Sequence, residues 1–342
     1  MNHPRQFGLL LTCTTIASAL GPNHAVAAPS PVEAPLWQAL ASLPHGLAGF
    51  AHGVIASHPV VAGGTRWEND TKLTLTDLLR YDPAANTWTR EPALPRPFAF
   101  GPFGVYGGQL VLLGGDDGEL TRSDGLAGAN GRALPDPVAY AGSSLHDGKL
   151  YVLGGTADLR VLARTTDRFF RIDLATGESE SLPLFPGGLA IHVALVAIGD
   201  NLLAFTGGRW DASAQRLANT DEAWRYSPAH RTWTSLAPYP FPVRGLAACA
   251  LDGRYVLLAG GYKDDGLTNE CFLYDATENR YSPLPPLATA AMLVGLIKAG
   301  DFIYAAGGED RAKHRSDAVY RSPISRLLSA AGAGQPGNSG QP

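Results

Sequence analysis

The sequence predicts an all-β fold built from six repeats of one antiparallel unit, and three observations carry that prediction. An apolar run ends in a pair of glycines six times, at intervals of 40 to 53 residues. A second apolar stretch, in most repeats introduced by proline, precedes each run. In three repeats a tyrosine follows, and a tryptophan or tyrosine comes seven residues after it. Such self-similarity is typical of folds in which each repeat is one supersecondary unit.

The first two strands of each repeat are predicted to form a hairpin. The second strand is the apolar run with the glycine pair, and these pairs end at Gly64, Gly115, Gly155, Gly208, Gly261 and Gly308. Turn dipeptides separate it from the first strand at Gly107-Gly108, Asp147-Gly148, Gly199-Asp200 and Asp252-Gly253. Dipeptides of this kind favour the tight turns of antiparallel hairpins.

The aromatic residues predict a third and a fourth strand. The pairs at a separation of seven are Tyr81 and Trp88, Tyr226 and Trp233, and Tyr274 and Tyr281. Asp-Pro and Ser-Pro dipeptides supply the turn in two of these repeats. Repeat three has Ile172 and Ser179 at these positions, and repeat two has no aromatic residue between Gly115 and Leu134. The outer strands of repeat two are therefore the least defined.

The complete unit of four strands resembles the kelch repeat, which forms one blade of a β-propeller. The last repeat stops one strand short, whereas an extra aromatic segment, Trp37 to Leu40, precedes the first repeat. A closed ring leaves no open sheet edge, so we expect this N-terminal strand to complete the last blade. The resemblance implies a single six-bladed propeller over residues 28–328, followed by a disordered tail over residues 329–342.

The first 27 residues have the pattern of a signal peptide: Arg5, an apolar segment from Phe7 to Leu20, and Ala25-Val26-Ala27 as a cleavage site. We therefore expect a periplasmic or secreted protein without membrane insertion after cleavage. Cys249 and Cys271 are the cysteines that remain. They fall on strands one and three of one blade, about 10 Å apart and beyond the reach of a disulfide, so free thiols are predicted.

The charge balance argues against a nucleic-acid partner. Lys and Arg number 27 against 31 Asp and Glu, which gives a formal net charge of -4. A protein that binds the phosphate backbone usually carries a basic surface. A small molecule is the expected ligand.

Antiparallel strand order brings two sets of residues to one mouth of the central channel, which is the expected ligand site. The residues after the glycine pairs are Thr65 and Arg66, Asp116 and Asp117, Thr156, Arg209 and Trp210, Tyr262 and Lys263, and Glu309 and Asp310. The proline links add Phe98, His192, Arg244 and Met292. Arginine forks, carboxylates and aromatic rings suit a hydroxylated, anionic ligand. The predicted substrate-binding residues are Arg209, Arg244, Asp116, Trp210 and Tyr262.

The segment from Gly307 to Tyr320, GGEDRAKHRSDAVY, is the most informative part of the chain. It resembles the Gly-Glu…Arg-x-Asp-Ala-Val signature of the kelch-type sialic acid (N-acetylneuraminate) mutarotases, including their cyclically permuted branch. The segments LPRPFAFGPFGVYGGQLVLLGGDDGE, GGRWD and DEAWRYSP match that branch as well. The resemblance implies that Glu309 and Arg315 are catalytic residues of an isomerase, with Glu309 as a base and no metal or cofactor required.

Two questions stay open on the sequence alone. The sugar could be sialic acid or a neutral aldose, since arginines bind carboxylates and hydroxyls alike. The alternative to an enzyme is a non-catalytic kelch propeller that binds a glycan or a protein on the same face, because a fold does not imply an activity.

Overall fold

A computed structural model describes residue 1, residues 35–126 and residues 128–332. Apart from Met1, the predicted signal peptide lies outside the described residues. All elements below belong to the compact unit that begins at Leu36.

The described residues form an all-β structure of small antiparallel sheets in a propeller arrangement. Five of these sheets have four strand positions, and we call them blades one, three, four, five and six after the repeats that form them. The strands are given from the innermost outward: blade one has Ala51–Ile55, His58–Ala62, Leu78–Asp82 and Thr87–Arg90, and blade three has Gly142–His146, Lys149–Leu153, Phe169–Asp173 and Ser179–Leu182. Blade four has Ala190–Ile191 together with Ala194–Ile198 in the innermost position, then Asn201–Asp211, Arg216–Ser227 and Thr232–Ser235. Blade five has Ala247–Ala250, Tyr255–Ala259, Cys271–Asp275 and Arg280–Leu284, and blade six has Gly295–Ala299, Phe302–Ala306, Val319–Pro323 and Gln38–Ala39.

Repeat two forms a smaller sheet of two strands, Phe103–Tyr106 and Gln109–Leu112. Its first strand contacts the innermost strands of blades one and three, so it occupies the place between them in the ring. In the described part of residues 113–134, isolated bridges such as Leu113 to Gly125 replace the outer strands. The prediction of six blades is therefore wrong for repeat two. The missing aromatic pair does not by itself explain this, because blade three forms both outer strands with Ile172 opposite Ser179.

The aromatic spacing of seven is confirmed as a cross-strand pair. Tyr81 lies opposite Trp88 with ring centroids 5.1 Å apart, and its hydroxyl donates to Oδ1 of Asn86 in the intervening turn at 2.7 Å. Asn86 Oδ1 also accepts from the backbone N–H of Ala41 at 2.9 Å. The ring contact stabilises the outer hairpin, and the hydrogen bonds to Asn86 fix its turn. Tyr274 donates to Asn279 in the same way in blade five, whereas the Tyr226 hydroxyl of blade four has no hydrogen-bond partner among the described residues.

The core is divided into layers between neighbouring sheets. One layer joins Val61 and Leu79 of blade one to Ile297 and Tyr304 of blade six, all of them buried. Burial of each side chain of this size contributes about 1.5–3 kcal/mol. Packing between the first and last repeats closes the ring.

The predicted N-terminal closing strand is confirmed. Gln38 and Ala39 pair with Arg321 and Tyr320, which completes blade six at its outer edge. Trp37 is buried in the adjoining core layer. The strand Val319–Pro323 thus has a partner at its outer edge, and Gln38 lies 283 residues before its partner Arg321 in sequence.

A helix that the sequence analysis did not predict, Ile324–Ala330, follows blade six and buries Leu327. It includes the first two residues of the predicted tail, and residues 333–342 lie outside the described residues. In the described part of the chain, no helix has the length and hydropathy of a membrane span.

Cys249 and Cys271 lie on the first and third strands of blade five, as predicted, and both are free thiols. Burial raises the pKa of Cys249 to about 11 and that of Cys271 to about 12. Both thiols are therefore protonated at neutral pH and serve as small packing groups.

Two short hairpins extend from the blades: Thr65–Glu68 with Thr71–Thr74 in repeat one, and Tyr262–Lys263 with Gly266–Leu267 in repeat five. A 3-10 turn covers Leu162–Arg164. We call the first of these hairpins, residues 65–74, the rim hairpin.

Candidate functional site

Six equivalent positions encircle the channel just before the innermost strands, and we call them the floor ring: Gly49, Phe100, Tyr140, His192, Gly245 and Leu293. All six have φ between 55° and 70°. Their backbones are joined in series by five N–H donors and carbonyl acceptors: Phe100 to Gly49, Tyr140 to Phe100, His192 to Tyr140, Gly245 to His192, and Leu293 to Gly245. Non-glycine residues seldom adopt positive φ, and such strain concentrates at functional sites.

Three of the six floor-ring residues, Phe100, Tyr140 and His192, carry aromatic rings. The rings of Phe100 and Tyr140 are 4.7 Å apart edge to face, and Tyr140 lies 4.1 Å from the His192 ring. Leu293 packs against the same cluster. Glycine is required at position 49 because a Cβ there would lie 2.1 Å from Cε1 of Phe100. Aromatic rings of this kind can pack against the apolar face of a sugar.

A second set of six residues surrounds the floor ring, and we call these the rim positions: Thr65, Asp116, Thr156, Gly208, Tyr262 and Glu309. Each bridges in antiparallel fashion to the residue directly before a floor-ring residue, as Glu309 does to Met292. The predicted convergence of the two sets of loops is therefore correct. Every repeat has a side chain at its rim position except repeat four, which has a glycine there.

Glu309 and Arg315 are in direct contact. Nη1 of Arg315 lies 2.5 Å from Oε2 of Glu309, with side-chain exposures of 5% and 29% respectively. Nε of Arg315 donates to Oγ1 of Thr65 at 3.2 Å, and Nη1 donates to the carbonyl of His314 at 3.2 Å. The guanidinium is thus held on three sides, while part of the carboxylate remains open to solvent.

His314, which lies between these two in the segment, is turned toward a different group. Its Nδ1 lies 2.5 Å from Oδ1 of Asp310. A tight turn over residues 311–314 sets this geometry, with Lys313 at a φ of 53°. The imidazole is therefore engaged by Asp310 rather than by Glu309.

Asp116 is buried at the rim and pairs with Arg160, whose Nη1 lies 3.2 Å from Oδ2. Its other oxygen accepts from the backbone N–H of Gly118 at 2.9 Å. Because both oxygens have partners in the protein, Asp116 fixes the rim loop of repeat two and holds Arg160 beside the mouth.

Arg244 and Tyr262 form the opposite side of the rim. The Arg244 guanidinium lies 4.4 Å from the centroid of the Tyr262 ring, and Nη1 donates to Oδ1 of Asn219 at 2.7 Å. Burial lowers the pKa of Arg244, while Tyr262, Asp264 and Glu309 oppose that shift. An arginine remains charged in proteins, so this is a positioned cation whose hydrogen-bond partner is a neutral amide.

Neither Arg209 nor Trp210 occupies a rim position, and their role in substrate binding stays a prediction. In repeat four, Thr206 at a φ of 54° and Gly207 occupy the positions of the glycine pair, so Gly208 takes the rim position. Arg209 then points to another face, where Nη2 lies 2.6 Å from Oε1 of Glu222 and Nε donates to the carbonyl of Gly187 at 2.7 Å. Trp210 lies beyond it in the projecting hairpin, opposite Leu217.

The four residues predicted in the proline links lie in different environments. Phe98 is buried in a core layer between blade one and the repeat-two sheet. Met292 is buried and bridges to Glu309. Of the four predicted residues, His192 is in the floor ring and Arg244 is at the mouth.

Lys72, on the rim hairpin, was not among the predicted residues. Its Nζ lies 5.7 Å from the centroid of the Phe100 ring. Partial burial lowers the pKa of Lys72; Arg315 and Arg160 add to this shift, while Asp116 and Glu309 oppose it. The sequence signal for it was weak, because it lies seven residues beyond the rim position and only the hairpin turn brings it back.

A cavity of about 180 Å³ lies in the channel, lined by the floor ring and by residues of the innermost strands such as His52, Phe103, Ser143 and Leu195. Neither Glu309 nor Arg315 is among the residues that line it. Burial lowers the pKa of His52 to about 4 and that of His192 to about 3, so both are neutral at pH 7. The charged groups act at the mouth, whereas the channel is lined by apolar and neutral polar groups.

The mouth can hold a proton acceptor, several cations and an aromatic surface together. Burial raises the pKa of Tyr140 to about 12, and the charges of Arg315, Glu309 and Asp116 all act on it. In the described residues no group of three or more His, Cys, Asp and Glu side chains is arranged to hold a metal ion.

Comparison of the sequence with protein-family models and with curated proteins gave no match.

Proposed function

We propose that this protein is a carbohydrate mutarotase of the N-acetylneuraminate type, which interconverts the anomers of an acidic sugar at the mouth of a kelch propeller. The contact between Glu309 and Arg315 carries the proposal: a solvent-accessible carboxylate is held by a buried guanidinium beside an aromatic floor. In this proposal the two-stranded sheet of repeat two is a reduced sixth blade. Five hydrogen bonds that join six floor positions support that view.

The charge at the mouth supports an acidic substrate. Arg315 and Arg160 are paired with Glu309 and Asp116. In the part of the chain that the structure describes, Lys72 and Arg244 have no carboxylate partner for an ion pair. Two positioned cations without counter-charges favour a ligand that brings its own carboxylate.

Mutarotation requires that the anomeric hydroxyl loses a proton while the ring oxygen gains one. Glu309 accepts the hydroxyl proton, and the C–O bond to the ring oxygen breaks as the anomeric carbonyl forms. Arg315 holds the Glu309 carboxylate in place, and it stabilises negative charge on the substrate oxygen. Rotation about the bond to the carbonyl carbon, followed by closure on the other face, gives the second anomer.

General acid–base catalysis supplies about 10²- to 10⁴-fold, or roughly 3–5 kcal/mol, which suffices for a reaction that also proceeds without an enzyme. The floor ring adds orientation, because stacking on Phe100 and Tyr140 places the sugar ring across the mouth. The N-acetylneuraminate carboxylate then lies among the cations on the rim.

Proton NMR of freshly dissolved N-acetylneuraminate, with and without the protein, tests the proposal. We expect faster exchange between the anomers with the wild type, and loss of that acceleration in Glu309→Gln. Glu222→Gln is the matched control, because Glu222 pairs with Arg209 away from the mouth. Binding of the sugar without any acceleration would contradict the enzyme proposal and favour the non-catalytic binding module.

A further inference from the structure

The rim hairpin places one face over the mouth. Trp67 and Lys72 are directly paired across the hairpin, as are Thr65 and Thr74. Side chains of paired residues lie on the same face of a sheet. Thr65 accepts from Arg315, Trp67 lies 5.9 Å from Nζ of Lys313, and Lys72 lies over Phe100. The hairpin therefore extends from the Glu309–Arg315 pair at one end to the repeat-two rim at the other.

The proposed reaction needs an acid for the ring oxygen, and most nearby groups are unsuitable. Arg315 does not give up a proton in proteins. His314 is engaged by Asp310. His192 is neutral because burial lowers its pKa to about 3, and the pKa of Tyr140 is raised to about 12. Both are weak proton donors at neutral pH.

Lys72 differs from these groups in its charge and in its partners. It is a cation with three protons, and within the described residues no carboxylate pairs with it. It comes from repeat one and Glu309 from repeat six, which adjoin across the closure of the ring, and the charge of Glu309 acts on it. A base and an acid on two sides of one aromatic surface are the arrangement that ring opening requires.

We propose that Lys72 is the catalytic residue that donates the proton to the ring oxygen of the sugar. This inference rests on the proposed mutarotase function. In the forward step Glu309 takes the proton of the anomeric hydroxyl, the electron pair of that O–H bond forms the carbonyl, and the C–O bond to the ring oxygen breaks. The ring oxygen takes a proton from the Lys72 ammonium, which becomes a neutral amine. On closure the amine takes back the hydroxyl proton, and Glu309 returns its proton to the carbonyl oxygen.

The surroundings of Lys72 suit this role. Burial is the largest cause of its lowered pKa. The charges of Arg315 and Arg160 lower it further, and those of Asp116 and Glu309 oppose the shift. A cationic acid whose pKa moves toward the working pH transfers its proton more readily. Because Lys72 acts in its protonated form, the rate should fall at alkaline pH as the ammonium loses its proton.

The test is the pH profile of anomer exchange for N-acetylneuraminate, measured by NMR with the full chain. We expect Lys72→Met to lose on the order of 10²-fold in kcat, and to lose the alkaline limb of the profile. Lys72→Arg should not restore the rate, since it retains the charge but cannot donate a proton. Lys72→Ala should regain part of the rate when methylammonium is added.

Lys313→Met is the matched control, because Lys313 contacts the same hairpin at Trp67 and Asp70. It should retain both the rate and the alkaline limb. A Lys72→Arg or Lys72→Met variant with the wild-type rate and profile would overturn the role of Lys72 while Glu309→Gln still lost activity. A wild-type protein without any acceleration would overturn the mutarotase proposal itself, and the inference with it.

Discussion

Nε of Arg315 donates to Oγ1 of Thr65 at 3.2 Å, and this hydrogen bond joins blade six to the rim of blade one. The Thr65 hydroxyl in turn donates to the carbonyl of Ala48 at 3.2 Å. Thr65 is fully buried and the Arg315 side chain is 5% exposed. The guanidinium that holds Glu309 is therefore positioned by the closure of the propeller as well as by its own loop.

Removal of the Thr65 hydroxyl should weaken both the fold and the site. Thr65→Val leaves Nε of Arg315 buried without an acceptor, which costs about 1–3 kcal/mol in the free energy of unfolding. Thr65→Ser retains the hydroxyl and should lose less. Urea unfolding measures the difference, and sugar binding by calorimetry reports whether Arg315 has moved. Equal stabilities of the Val and Ser variants would show that the hydrogen bond contributes nothing.

Glycine 49 should be intolerant of a side chain because of Phe100. A Cβ at this position would lie 2.1 Å from Cε1 of Phe100, and the φ of 70° is itself unfavourable for alanine. Gly107→Ala is the matched control, because Gly107 has a φ of 59° with open space around it. We expect Gly49→Ala to destabilise by at least about 1 kcal/mol more than Gly107→Ala, as overpacking does elsewhere. Similar midpoints in thermal unfolding would contradict this.

The repeat pattern predicted most of the architecture, because it depends on local chemistry. Glycine pairs, turn dipeptides and the Tyr-to-Trp spacing each report on one hairpin, and the structure has those hairpins where the pattern is complete. Repeat two lacks the aromatic pair and has bridged turns in place of outer strands, whereas repeat three forms its outer strands with Ile172 and Ser179 at those positions. The helix Ile324–Ala330 was missed because seven residues carry too little periodicity to distinguish it from a loop.

The candidate site was less predictable, because it depends on register and on contacts between repeats. The glycine pair in repeat four is shifted by one position, since Thr206 adopts the positive φ that glycine has elsewhere. A shift of one residue moves a side chain to the opposite face of a strand, and Arg209 is displaced from the mouth for that reason. The position of Lys72 and the floor ring as a set could not be predicted from the sequence, because only the folded path of the backbone brings these residues to the mouth.

Arg244 should determine the preference for an acidic sugar. It lies on Tyr262 and donates to Asn219, so its remaining donors are available to a carboxylate. Arg244→Met should weaken the binding of N-acetylneuraminate by about tenfold or more, which corresponds to about 1.4 kcal/mol, and leave a neutral aldose unaffected. Arg209→Met is the matched control, because Arg209 contacts Glu222 and Gly187 instead. Calorimetric titration of both sugars against both variants measures these affinities. An equal loss of N-acetylneuraminate affinity in the Arg244 and Arg209 variants would contradict the role of Arg244 in sugar preference.

The two buried histidines of the channel should make the fold sensitive to mild acid. Burial lowers the pKa of His52 to about 4 and that of His192 to about 3, against about 6.5 in the unfolded chain. The unfolded state therefore binds more protons as the pH falls below about 6.5, so their contribution to stability is present above that pH and is lost toward the folded pKa. Each histidine should cost up to about 2 kcal/mol between pH 7 and pH 5.

Urea unfolding at pH 7, 6 and 5 measures that loss, in a range where carboxylates of ordinary pKa remain charged. His52→Gln removes one of the two groups and should show a smaller decrease in the free energy of unfolding over this range. His230→Gln is the matched control, because His230 is exposed on the surface, and it should follow the wild type. The variant lacks the His52 imidazole, which must stay neutral in the folded state. If His52→Gln nevertheless loses as much stability as the wild type between pH 7 and pH 5, protonation of His52 does not cause the loss.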